Sequence, residues 1–129
     1  MPNDGLNRPL HIGDEVAYKM GRKYYVGIIV SMTDLRVRLA YPYFIRDIRF
    51  PLYEQGHFKL HMKLSTIRPF GLIQLPQGEI NKLKIQTGRW IPQNIKVTPQ
   101  MEVDYDRAVN FIRTQLVGRL KIKIPEEYK

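Results

Sequence analysis

"GDEVAYKMGRKYYVGIIVSMTDLRVRLAYP", residues 13–42, is the stretch whose reading decides the fold. Over residues 12–20, Ile12, Val16, Tyr18 and Met20 share one parity, with Asp14 the only polar member. Alternation with a period of two marks a strand with one buried face. Gly21-Arg22-Lys23 predicts a turn. The run that follows, residues 24–32, is apolar on both faces through "YYVGIIV", as a strand covered on both sides requires, and Gly27 permits a sharp bend. Thr33-Asp34 predicts a second turn. "LRVRLAY" (residues 35–41) then alternates again, with Leu35, Val37, Leu39 and Tyr41 inward and Arg36 and Arg38 outward. Three strands in meander order result.

The pattern continues outward on both sides. Residues 42–56 are less regular, and their prolines predict a long loop holding one strand or a helical turn. "HFKLHMKLSTIRPFG" (residues 57–71) places Phe58, Leu60, Met62 and Leu64 on one side and His57, Lys59, His61 and Lys63 on the other. A turn at Ser65-Thr66 and a short "IRPF" strand are expected after it. About five short strands in roughly 60 residues are best protected at their edges by closing into a small barrel. Residues 72–100 suggest a hairpin turning at Thr87-Gly88, with Trp90 just beyond. Thr98-Pro99 pairs an N-cap hydroxyl with a first-turn proline, and a helix is expected over about 101–119. Its stripe is Tyr105, Ala108, Val109, Ile112 and Leu116. Glu102, Asp104 and Asp106 suit its positive end and Arg113 and Arg119 its negative end. Gly118 ends it, and "LKIKIP" is read as a final strand. The expected organisation is an N-terminal tail (1–8), a barrel (9–71), and an extension (72–129) whose hairpin and helix pack on the barrel. The class is mainly β with a C-terminal α-helix.

Charge narrows the partners. Lys and Arg number 21 against 12 Asp and Glu, a formal +9 with a sequence pI near 9.9. Such an excess attracts polyanions, nucleic acid first and an acidic protein face second. There is no cysteine, which removes disulfides, thiolate zinc sites and cysteine nucleophiles together. The first residues are polar with no apolar core of a signal peptide, and the apolar runs 24–30 and 39–45 are too short to span a bilayer. A cytoplasmic protein without a membrane partner is the expectation.

The segments "IGDEVAY" (12–18), "YYVGIIVSM" (24–32), "LRVRLAY" (35–41) and "KLSTIRPF" (63–70) together resemble the SH3-like barrels of the KOW and Tudor type. The resemblance covers residues 9–71 and implies a small five-stranded barrel, here followed by a hairpin and one packed helix. Barrels of this type bind RNA, DNA, modified protein tails or RNA polymerase, so it implies a binding module and leaves the partner open. Residues 43–56 are longer than the usual tight connection, and the last third has no counterpart in an isolated barrel. Alanine occurs only at Ala17, Ala40 and Ala108 while isoleucine and lysine abound. In this the chain is similar to small accessory proteins of T4-like bacteriophages that bind host RNA polymerase, which would place it in the host cytoplasm.

The first candidate surface combines Lys19, Arg22, Lys23, Arg36 and Arg38 with Tyr24, Tyr25, Tyr41, Tyr43 and Phe44. Arginines two apart on a strand follow a phosphate backbone, and neighbouring aromatics stack on unpaired bases. The competing reading puts the rings in the core. The same rings would form a cage for a methylated cation, with Asp34 or Asp47 as the acid. A second basic set is Arg46, Arg49, Lys59, Lys63 and Arg68. A third, on the helix and its end, is Arg107, Arg113, Arg119, Lys121 and Lys123. Trp90 beside Arg89 suits either an interface anchor or core packing.

His57 and His61 share a strand face but stand about 13 Å apart, too far to share a metal ion. His11 is the only other histidine. Glu102, Asp104 and Asp106 are the one dense carboxylate cluster, more often a helix-dipole device than a Mg²⁺ site. No nucleophile elbow, phosphate-binding Walker loop or HExxH motif occurs. The expectation is a non-enzymatic protein with no cofactor, metal or catalytic residue. It would contact DNA or RNA, or the transcription machinery, through the basic aromatic face. An adaptor docking on an acidic surface of RNA polymerase is the alternative, and a small metal-dependent nuclease the weaker one.

Overall fold

Residues 2–20, 23–46, 58–74 and 98–129 are those described by the structure, a computed structural model. The alternating segments form an antiparallel meander: β1 (Glu15–Met20), β2 (Lys23–Met32), β3 (Val37–Arg46) and β4 (Phe58–Ile67). A two-residue β5 (Leu72–Ile73) returns to the free side of β1, giving the order β4-β3-β2-β1-β5. The longest ladder is β3–β4, unbroken from Val37↔Ile67 to Arg46↔Phe58. β2 pairs with β3 only from Met32↔Val37 to Ile28↔Ala40. Pro42 therefore lies where β3 has left its β2 neighbour, which is where a residue without an N–H is tolerated.

The order of the strands bends the sheet. β4 and β5 stand at opposite edges, about 19 Å apart across four spacings if the sheet were flat. Yet five residue steps connect Ile67 to Leu72, and Pro69–Gly71 among them form a 3₁₀ turn. Fully extended, five steps reach about 17 Å, and a 3₁₀ turn shortens that. The sheet must curl to let the chain across. Among the described residues no ladder joins β4 to β5, so the sheet is open where the sequence leads one to expect a closed barrel.

Curling makes two apolar compartments. The inner one gathers Leu10, Val16, Tyr18, Ile29, Val37, Leu39, Tyr41 and Leu72. The outer face carries Ile28, Val30, Ala40 and Met62, and α1 (Pro99–Phe111) with a following π turn (Ile112–Leu116) covers it. The expected stripe does this: Tyr105, Ala108, Ile112 and Leu116 are buried and Val109 is half-buried. Tyr105 stacks on Phe44 with ring centroids 6.3 Å apart, and burial, with Glu15 and Asp106 nearby, pushes its hydroxyl pKa far up, so it stays protonated. Thr98 caps the helix by accepting from the Met101 N–H at 3.2 Å. Gly118, at φ 78°, ends it and donates its N–H to the Val30 carbonyl at 2.8 Å. Arg113 pairs with the nearly buried carboxylate of Glu15 at 3.5 Å, fastening the helix to β1.

Several expectations change. Ser65 and Thr66 lie inside β4, because the alternation runs unbroken to Ile67, and "IRPF" supplies the 3₁₀ turn rather than a strand. "LKIKIP" forms no strand: Ile122 and Ile124 pack on the outer cluster from an irregular segment. Leu35 is 77% exposed in the β2–β3 turn, so the inward file begins at Val37. Residues 2–8, expected as a tail, form a loop tied to the sheet end: Asp4 is buried and accepts from the Gln74 N–H, and Asn3 bridges Pro9. The hairpin at Thr87-Gly88 and Trp90 lie outside the described residues.

Ile112 is fully buried at the centre of the helix–sheet contact. Ile112→Ala is expected to destabilise the fold by about 3 kcal/mol, measured by urea denaturation. Val103→Ala, on the solvent face of the same helix, is expected to stay within about 0.5 kcal/mol of wild type.

Candidate functional site

Among the described residues, the rings and arginines of the first candidate surface do not form one face. On β3, Tyr41 and Tyr43 lie on the inner side and Arg38, half-buried, shares the outer side with Ala40. Tyr41 is buried at 5.7 Å from the Tyr18 ring, and its hydroxyl is 3.3 Å from Ser65 Oγ. Phe44 is buried under Tyr105. These rings are core. Tyr43 is half-buried, 6.0 Å from Tyr41 and 5.8 Å from its cross-strand partner His61. Burial and the neighbouring Tyr41 hydroxyl push the Tyr43 pKa up, while burial and then Lys59 push that of His61 down, so both are neutral at pH 7. Arg22 and Asp47, and the side chains of Lys19, Lys23, Tyr24 and Tyr25, lie outside the described residues, as do Arg49, His57 and Arg89.

The third basic set is also divided. Arg113 is committed to Glu15 and to the Gly13 carbonyl. Arg107 lies exposed on the helix, while Arg119, Lys121 and Lys123 lie exposed beyond it. Leu120 sits among these last three and is 93% exposed. Asp104 accepts from Gln100 Nε2 at 2.8 Å, and among the described residues no group of three or more carboxylates and histidines is placed to hold a metal ion.

What the fold does bring together is at the other end of the β3–β4 ladder. Met32↔Val37 closes a four-residue hairpin loop. Inside it the Thr33 N–H donates to the Arg36 carbonyl at 2.8 Å, and Thr33 Oγ1 accepts from the N–H groups of Leu35 (3.4 Å) and Arg36 (3.2 Å). This leaves the Leu35 side chain at the apex. Arg36 and Arg68 adjoin the last pair of the ladder, Val37↔Ile67, and both line one cleft. Arg68 opens the 3₁₀ turn, whose Gly71 N–H donates back to its carbonyl at 3.0 Å, and Phe70 on that turn is 68% exposed. Pro2 and Asn3 complete the enclosure, leaving a largely apolar cleft of about 710 Å³ with Arg36, Arg68 and Asp34 among its lining residues.

The N-terminal wall is held by one carboxylate. Asp4 is buried and accepts from the N–H groups of Arg8 (2.8 Å), Leu6 (3.0 Å) and Gln74 (3.1 Å) and from the Arg8 guanidinium (3.3 Å). Burial alone would raise its pKa. The Arg8, Gln74 and Leu6 N–H groups and the Arg8 charge outweigh burial and hold it below the usual carboxylate value. Gly5 donates its N–H to the Leu72 carbonyl at 2.8 Å, and a side chain there would meet the Phe70 carbonyl at 2.6 Å. That close approach explains the glycine.

Arg68 stands in the second basic set of the sequence reading, but Leu35 and Phe70 are assigned no surface role there. The available signal was the four-residue spacing between Met32 and Val37, which puts Leu35 in a loop. No protein-family model, curated protein or solved structure matches the chain. Among the described residues no helix is long and apolar enough to cross a membrane.

A carboxyl with a depressed folded-state pKa contributes stability above its unfolded pKa and loses it as pH falls through the folded value. Asp4→Ala is therefore expected to cost about 3 kcal/mol near neutrality, since it strands several buried N–H donors. The gap in urea midpoint between wild type and Asp4→Asn should narrow as the pH falls below about 4. A gap independent of pH would show that the ionised carboxylate is not what holds the loop.

Proposed function

We propose that the protein is a non-enzymatic nucleic-acid-binding module built on an SH3-like sheet. The observation that carries this reading is the pair Arg36 and Arg68 at the ladder end of a chain of net charge +9. Like charges lining one cleft repel, and among the described residues neither arginine is in an ion pair. A phosphate between them would relieve that repulsion with charge-assisted hydrogen bonds. The SH3-like assignment is supported by the meander of four strands whose fifth returns to β1 after a single turn.

A second reading is favoured by Leu120, almost fully exposed between Arg119 and Lys121. A lone apolar side chain within a basic rim suits an acidic protein surface, and on this reading the partner is RNA polymerase.

Anisotropy titration of labelled oligonucleotides across a salt series tests the first reading. Binding is expected to weaken steeply with salt, and Arg36→Ala with Arg68→Ala to reduce the log–log slope by about 1 to 2. Binding indifferent to salt, or absent at micromolar protein, contradicts it. Under the second reading, pull-down of polymerase subunits from lysate survives nuclease treatment and is lost with Leu120→Glu.

A further inference from the structure

The geometry points to a more specific occupant for the cleft between the β2–β3 turn and the 3₁₀ turn: one unstacked base of a single-stranded nucleic acid. This base would lie on Phe70 against Leu35, with its flanking phosphates on Arg36 and Arg68. The inference rests on the nucleic-acid reading above and goes beyond it by naming strandedness and the side chain that stacks.

Three observations converge on it. Leu35 and Phe70 are 77% and 68% exposed although both line one cleft, an arrangement that water disfavours and a flat apolar ligand face relieves. The cleft, at about 710 Å³, lies within the range of small-ligand sites, and a duplex presents stacked bases with no free ring face to enter it. Its two arginines line the same cleft as Leu35 and Phe70, so charge and stacking surface sit together.

Asp34 lines the same cleft. A carboxylate accepts hydrogen bonds and repels phosphate, which favours base edges bearing amino groups beside it. The walls are stiff for the purpose. Thr33 fixes the hairpin loop, Pro69 sets the start of the 3₁₀ turn, and Asp4 with Gly5 holds the N-terminal loop against it. Little ordering is left for the ligand to impose.

The test uses the full chain with labelled oligonucleotides of about 12 residues, as single-stranded DNA, single-stranded RNA, duplex, and an abasic strand of equal phosphate number. Wild type is expected to bind both single strands more tightly than duplex or abasic strand. Phe70→Ala is expected to weaken single-strand binding roughly tenfold with the salt slope unchanged, and Phe70→Tyr to restore it. The abasic strand should be indifferent to Phe70→Ala. Salt-dependent binding that Phe70→Ala leaves intact, or an equal loss on the abasic strand, overturns the cleft assignment while the nucleic-acid reading stands. No binding by wild type to any of the four probes overturns both. Phe70 is exposed, so its replacement is not expected to disturb folding, and unchanged urea midpoints verify this.

Discussion

The register of the β3–β4 ladder is the constraint on which the other features depend. Its pairing runs without a bulge for the full length of both strands. A slip of one residue would turn every side chain of β4 to the other face. In the observed register Leu60, Met62 and Leu64 meet the helix, His61 meets Tyr43, and the ladder ends beside Arg36 and Arg68. The hydrophobic pattern fixes this register from both sides, since the inner face of β3 and the outer face of β4 each have apolar cores to satisfy.

From that ladder the rest follows by connection length. The chain leaves β4 at Ile67 and must reach the far edge of the sheet within five residues. The sheet curls to allow it, and the crossing turn carries Phe70 to the ladder end. Once curled, the sheet encloses one core and offers its outer face to α1. The Glu15–Arg113 pair and the Gly118 cap join helix to sheet at separate points. The N-terminal loop then closes over the crossing turn through Asp4, whose buried carboxylate is tolerable only because its oxygens are supplied with N–H donors. Structural chemistry thus converges on the end of the molecule where two exposed apolar side chains and two arginines remain.

Much of the fold could be read from alternation. Val37, Leu39 and Tyr41, the alternation of residues 59–64, and the stripe from Tyr105 to Leu116 all lie where their periods place them. What alternation could not resolve was where it stopped. Leu35 obeys the parity of β3, yet lies two residues outside the ladder, where parity no longer has a face to refer to. Ser65 and Thr66 look like turn residues, but β-branched threonine and small serine are acceptable in a strand whose neighbour supplies the packing. Ile122 and Ile124 alternate without a partner strand to pair with. The site was legible only in part: Arg36 and Arg68 stood in different basic sets, because their juxtaposition depends on register, which charge counting does not carry. Of the aromatic half, Tyr41 is inward as its parity requires, while Phe44 packs in the helix-side core on the opposite face of the same strand.

The proposed ligand contact lies at one end of the β3–β4 ladder rather than along its faces. The most direct measurement is a heteronuclear NMR titration of the full chain with a short single-stranded oligonucleotide. The account predicts that the largest shift changes fall on Leu35, Arg36, Arg68 and Phe70, with Tyr43 and the helix unaffected. Changes confined to Tyr43 and His61, or to Arg119, Leu120, Lys121 and Lys123, would contradict it.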